Sequence, residues 1–164
     1  MSGSSNDSVA LRKHGNGLLA EVTVAAGLVR VWGVLTSFEE MPIHLSGLQK
    51  SRVLRRNGAS LLVEQTATVG VAVFSFPFRV LMEVVEDRPF LYFDQRLGSF
   101  ARFCGHWRVD PRTERVNTRV QYYLEVEMAR GLRRQAVELQ LHRMVRQNLQ
   151  ELAVWMENSE RENV

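Results

Sequence analysis

The sequence predicts an α+β fold: one curved antiparallel sheet of seven strands around a long C-terminal helix, with two short helices after the first strand. Three observations carry this. Residues 132–157 run without Gly or Pro, and Val137, Leu141, Met144, Val145, Asn148, Leu149, Leu152 and Trp155 recur at steps of three and four, one face of a helix. Upstream, from Gly47 to Met128, the apolar period drops from about 3.6 to about 2, the spacing of strands. Within 117–127, Thr118, Val120, Tyr122, Leu124 and Val126 face one way while Arg119, Gln121, Glu125 and Glu127 face the other, so one side of the sheet is buried and one is wet. A long helix laid on such a sheet encloses a space, and that enclosure is the route to function.

The elements follow in order. Residues 1–16, rich in Ser, Gly and Asn, are expected to be a mobile tail, with a single domain over 17–158 and a short tail over 159–164. A weakly alternating strand covers 18–24. Residues 25–35 carry Leu28, Val31, Trp32 and Leu35 at helical spacing. A second short helix spans 38–45, opened by Thr36 or Ser37 as N-cap, with Glu39 and Glu40 near the positive end of its dipole. Gly47 stops it. The strand over 48–56 ends at Asn57-Gly58, a strong hairpin signal. Strands over 61–70 and 73–85 follow, the first with Leu61, Val63, Gln65, Ala67 and Val69 on one face, the second with Phe74, Phe76, Phe78, Val80, Met82 and Val84. Pro77 cannot donate to a ladder, so it marks an edge position or a bulge. Strands over 90–96 and 100–109 form a hairpin around Leu97-Gly98-Ser99, and 110–115 turns into the strand at 117–127. A strongly twisted sheet of this size curls, leaving a concave side for the last helix and one end for the short helices to plug.

Composition narrows the classes. At 164 residues the chain can bury a full core without disulfides or a structural metal. The single Cys104 fits a reducing compartment, and no apolar run approaches the length of a membrane span. The opening MSGSSNDSVALRKHGNG lacks the apolar core of a secretion signal, so a cytoplasmic location is expected. The net charge is +3, and the cations are almost all Arg, with Lys13 and Lys50 as the lysines. Arg102, Arg108 and Arg119 alternate with apolar residues as a solvated outer face would, which disfavours nucleic acid as a partner.

His14, His44, His106 and His142 are far apart and lack metal spacing, and no nucleophile elbow, phosphate loop or dinucleotide glycines occur, so no metal or cofactor is expected. His106 shares the parity of Arg102 and Arg108 and points to solvent. Five polar side chains share the parity of apolar neighbours: Ser51, Gln65, Gln95, Tyr122 and Asn148. Such groups either satisfy one another within a filled core or orient a ligand carbonyl or hydroxyl in an apolar pocket. Phe76, Phe78, Phe93, Phe103, Trp107, Leu141, Val145 and Leu152 supply the apolar lining of that pocket, with Gly105 leaving room beside them. Arg79 and Glu83 read as a solvent pair; a bulge at Pro77 would instead turn Arg79 inward, where it could polarise a carbonyl.

The order of elements and several local strings resemble the START-like helix-grip superfamily, in its polyketide cyclase/dehydrase and coenzyme Q-binding branch. The strings are Val31-Trp32-Gly33-Val34-Leu35-Thr36-Ser37-Phe38, Ser51-Arg52-Val53, Gly105-His106-Trp107-Arg108-Val109 and Thr118-Arg119-Val120-Gln121-Tyr122, within residues 18–157. The resemblance implies a deep cavity between sheet and long helix that takes lipids, isoprenoid quinones, polyketides or plant hormones, with catalysed cyclisation or dehydration in a minority. Aromatase/cyclases of this kind place several polar groups in the cavity, whereas the inward positions here are mostly Phe, Val, Leu and Met. The expected function is therefore binding or transport of a hydrophobic small molecule, entering between the short helices, the hairpin loop after Phe93 and the end of the last helix. Peripheral membrane contact through exposed aromatics is compatible with it. Two alternatives stand beside it: a cyclase or dehydratase with Tyr122, Arg79 or Glu83 as general acid/base, and a ribosome-associated interaction module working through exposed arginines.

Overall fold

The computed structural model describes residues 9–71, 74–112, 116–128 and 134–161, with side chains over 9–68, 77–111, 116–128 and 138–158. The expectations on Phe76 and Val137 lie outside the described side chains. Eight strands form one antiparallel sheet: β1 Ala10–His14, β2 Gly17–Val24, β3 Leu48–Asn57, β4 Ser60–Val71, β5 Phe74–Asp87, β6 Phe90–Gly98, β7 Phe100–Arg112 and β8 Asn117–Met128. Their order across the sheet is β1-β2-β8-β7-β6-β5-β4-β3. Chain neighbours from β3 to β8 pair as a meander, and β2 joins the far side by pairing with β8 from Leu18↔Leu124 to Val24↔Thr118.

The strand count corrects the expected seven. Residues 10–14, assigned to the tail, form β1 and pair with β2 across a turn in which Gly15 has φ 57°. A left-handed φ of that kind suits glycine and closes the hairpin. Arg146 Nη1 donates to the carbonyl of Val9 at 3.0 Å and ties the start of this edge to the long helix.

Helices α1 Leu28–Leu35 and α2 Met41–His44 are joined by a single 3-10 turn over Phe38–Glu40. The expected capping role of Thr36 and Ser37 is not the one found. Their hydroxyls reach backward, Thr36 Oγ1 to the Trp32 carbonyl at 2.9 Å and Ser37 Oγ to the Gly33 carbonyl at 2.6 Å. They close the end of α1 together with the backbone N–H groups of Thr36 and Ser37, which bond the Trp32 and Val34 carbonyls at 3.0 and 3.1 Å. Glu39 Oε1 accepts the Val53 backbone N–H at 3.4 Å, so this segment also covers the edge strand β3.

The long helix α3, Arg134–Arg161, fills the concave side of the sheet. Val145, Leu149, Leu152, Ala153 and Met156 are buried on its inner stripe, against an inner sheet face that includes Ala20, Val22, Leu61, Val63, Val120 and Leu124. Its C-terminal half is held by the short helices. Glu157 Oε1 accepts the Ala25 N–H at 2.9 Å, Arg30 Nη2 donates to the Trp155 carbonyl at 3.1 Å, and His44 stacks on Trp155 with ring centres 4.0 Å apart. No described helix is long and apolar enough to cross a membrane.

Pro77 is accommodated without a bulge. The β4–β5 register runs unbroken from Ser60↔Val85 to Val71↔Phe74, while β5–β6 pairing starts only at Val80↔Gly98. Arg79 N–H points to the β6 side, where it meets Ser99 Oγ at 3.0 Å. Pro77, two residues earlier, faces the same side, beyond the end of β6. Its missing N–H is therefore not needed, and strand parity is preserved.

Candidate functional site

A partly open cavity of about 110 Å³ lies between the concave face and α3. Phe38, Met41 and Leu45 from the short helices, Met82 and Val84 of β5, Leu91 and Phe93 of β6 and Leu152 of α3 form its buried floor. Half-buried Gly47, Leu48, Ala67, Met144 and Asn148 form the rim. Phe103, Trp107 and Tyr122 complete the lining. Trp107 pairs with Tyr122 across β7 and β8, and their rings stack at 4.2 Å, with the Phe93 ring 5.7 Å from that of Tyr122.

The polar groups inside fall into two sets. Gln65 Nε2 donates to Ser51 Oγ at 3.1 Å and approaches Met41 Sδ at 3.7 Å, so Ser51 and Gln65 partly satisfy one another. The Tyr122 hydroxyl and the Asn148 amide line the cavity and have no hydrogen-bond partner among the described residues. Burial holds the Tyr122 phenol well above its ordinary pKa, because an anion there would lose its hydration. Asn148 breaks an otherwise apolar stripe, and an unbonded amide in such a place is costly unless something fills it.

A polar clasp closes the surface beside the rim. Glu151 accepts from the Ser46 N–H at 2.6 Å and from the Ser46 hydroxyl at 2.7 Å, and Gln147 Nε2 donates to that hydroxyl at 2.9 Å. These bonds join the α2–β3 connection to α3. Ligand passage at this point requires that the clasp open.

Of the residues expected to bind a ligand, Gln65, Phe93, Phe103, Trp107, Tyr122, Asn148 and Leu152 line this one space. Others are elsewhere. Ser51 is buried behind Gln65. Phe78 stacks on Phe100 at 4.7 Å, and Gln95 is spent on the hairpin, donating to the Phe100 carbonyl at 2.8 Å. Val145 packs in the core, and Leu141 lines a separate mixed-charge groove of about 440 Å³ between the β1–β2 turn, β8 and α3. Sequence reasoning missed the contribution of Phe38, Met41 and Leu45; their apolar spacing in the second short helix was the available signal.

The two other acid/base candidates face away. Arg79 Nε donates to Glu64 Oε2 at 3.1 Å on the convex face, and Arg96 Nε to Glu83 Oε2 at 3.0 Å. These bonds hold both Glu64 and Glu83 below the ordinary carboxylate range. Parity, undisturbed at Pro77, is the reason that Arg79 does not enter the cavity. His106 also lies on the convex face, as expected, but packed among Phe90, Tyr92 and Tyr123; burial, then Arg108, lowers its pKa. Tyr123 donates to Glu125 Oε1 at 2.7 Å, a bond that with burial pushes its phenol up to about 12. No group of metal-ligating side chains suited to a metal ion occurs among the described residues.

A curled antiparallel sheet around a long C-terminal helix is also the fold of solved proteins to which the chain is similar. The family model described as polyketide cyclase / dehydrase and lipid transport matches residues 24–153, and the chain belongs to that family. No curated protein matches the chain. Among solved structures, a protein from Thermus thermophilus is 24% identical, covering 84% of this chain and 94% of its own, with a TM-score of 0.74. The Zhui aromatase/cyclase from Streptomyces sp. R1128 is 17% identical over 90% of this chain and 94% of its own, TM-score 0.74. A STAR-related lipid transfer protein from Xanthomonas axonopodis is 11% identical over 90% and 98%, TM-score 0.70. At these identities the likeness is one of fold: the START-like helix-grip architecture.

Proposed function

We propose that the protein binds or carries a hydrophobic small molecule in the cavity between its sheet and α3. One observation carries the reading: two polar groups, the Tyr122 hydroxyl and the Asn148 amide, are left without partners among the described residues in an enclosure whose other described polar side chain is Gln65. Apolar area gives affinity, at roughly 25 cal/mol per Å² removed from water. A few convergent polar groups give orientation. The family's description and its structural neighbours, an aromatase/cyclase and a lipid transfer protein among them, fit such a role.

Binding is favoured over acid/base catalysis because Tyr122 is the one titratable group among the described lining residues, and burial keeps its proton on. Catalysis of enolisation or dehydration draws on a second convergent group. Five arginines of the convex face, Arg79, Arg96, Arg102, Arg108 and Arg119, are paired with carboxylates, which weighs against a ribosomal RNA surface there. A peripheral membrane encounter would use Val29 and Ile43, 84% and 80% exposed on the short helices.

Native mass spectrometry of the purified protein, followed by mild denaturation, tests the proposal. A lipophile that travels with the folded chain at one per protein, and is released on unfolding, supports it. A chain that carries none, and whose melting temperature no lipophile raises, refutes it.

A further inference from the structure

The size and chemistry of the cavity narrow the ligand, an inference that rests on the binding function proposed above. The space of about 110 Å³ is far below the roughly 300–1,000 Å³ of ordinary ligand pockets. An engineered apolar cavity of about 150 Å³ accepts benzene. A single ring therefore fits once a flexible neighbour yields, and Met41, Met82 and Met144 in the lining are side chains of that kind. Two fused rings or a folded acyl chain would need the helix to leave the sheet.

The walls select flat rings. Phe93, Trp107 and Tyr122 form a continuous stack on the concave face, and aromatic faces favour offset or edge contacts with another ring. The electrostatics select neutral ones. No Asp, Glu, Lys, Arg or His is among the described lining residues, so a carboxylate or an ammonium would find no counter-charge among them. The pKa of Tyr122 reports the same preference, since burial there already opposes a phenolate.

The unpartnered groups select the substituent. Tyr122 offers a donor that no described residue accepts, and Asn148 offers both a donor and an acceptor. Gln65 spends its Nε2 on Ser51, which leaves its carbonyl oxygen to accept. A hydroxyl both donates and accepts and can answer such a mixed set, whereas a carbonyl only accepts.

We propose that the cavity is a site for a neutral single-ring phenol, stacked against Phe93, Trp107 and Tyr122 with its hydroxyl bonded to the Tyr122 hydroxyl and the Asn148 amide.

Calorimetric titration at neutral pH with p-cresol, toluene, benzoate, 1-naphthol and palmitate tests this. Saturable binding of one p-cresol is expected, tighter than toluene or benzoate by about tenfold, the value of one or two well-made hydrogen bonds or of an avoided charge burial, and tighter than 1-naphthol because two fused rings exceed the space of about 110 Å³. Y122F and N148L, checked for an unchanged fold by circular dichroism, should each reduce the p-cresol preference over toluene, read as the ratio of the two affinities in the same variant, by about fivefold. Equal or tighter binding of benzoate or 1-naphthol overturns the phenol assignment, as does a p-cresol preference that survives both substitutions. If palmitate binds and no single-ring compound does, the assignment fails while the carrier function stands. If nothing binds, the phenol assignment fails, and the carrier function is decided separately by the native mass spectrometry described above.

Discussion

The two faces of the sheet are built from the same strands by the same alternation, yet they solve opposite problems. On the convex face Arg79, Arg96, Arg102, Arg108 and Arg119 each have a carboxylate within reach, and even the half-buried aromatics Tyr123 and His106 pack against neighbours. On the concave face the polar groups are few, and two of them have no partner among the described residues. Charge that binds charge within one chain is closed to outsiders. A donor or acceptor left open in an apolar room is where a ligand has something to gain.

Four changes break or sharpen this contrast. The largest effect belongs to the grip itself: Leu149→Ala, on the fully buried stripe of α3, should cost about 2–5 kcal/mol of folding stability in urea titration. The convex-face change Arg79→Met should shift the midpoint far less, since Arg79 is exposed. Equal losses would mean that the outer ion pairs carry the fold.

Asn148→Leu comes next, with the opposite sign. Replacing an unpartnered amide by an apolar side chain should raise stability by about 1 kcal/mol in ligand-free protein, read as a higher melting temperature. A lower melting temperature would show that Asn148 serves the core instead of a ligand.

Arg79→Met also has a pH signature. The Arg79 hydrogen bond lowers the Glu64 pKa in the folded protein below its ordinary 4.5. The stabilisation is thus present above that value and is lost as pH falls through the lowered one. Urea curves of wild type and variant should differ at neutral pH and converge in acid below pH 4.5. A gap that persists in acid would assign the effect to packing.

The smallest expected change is kinetic. Glu151→Gln weakens the clasp to Ser46 without touching the cavity wall. Ligand entry and exit should quicken together in stopped-flow mixing, with the dissociation constant nearly unchanged. A change confined to affinity would place the entrance elsewhere.

Much of this contrast was legible in the sequence, because a period of about two sorts side chains to faces with little help from tertiary structure. Parity placed Phe93, Phe103, Trp107 and Tyr122 inward and Arg102, Arg108 and Arg119 outward. Parity fixes a face but not a depth along the strand, and that is why Phe78, Gln95 and Leu141 were grouped with a cavity that they do not line. Ser51 failed for another reason: Gln65 stands in front of it, a matter of side-chain reach. The missed strand β1 has only Leu11 packed against the core, so it carries no alternation to read. Its signal was the turn, Gly15-Asn16-Gly17 after His14, where Tyr123 lies so close that a Cβ on Gly17 would sit 2.6 Å from its ring.

Pro77 has one more consequence. Where β6 stops short, no described strand pairs with that edge of β5, and an unpaired edge is the kind of ledge onto which a strand from another molecule zips during aggregation. A residue with no N–H at that point removes one rung from the ladder such an intruder would climb. The same proline that lets the hairpin end early thus also guards the molecule against its own copies in a crowded solution.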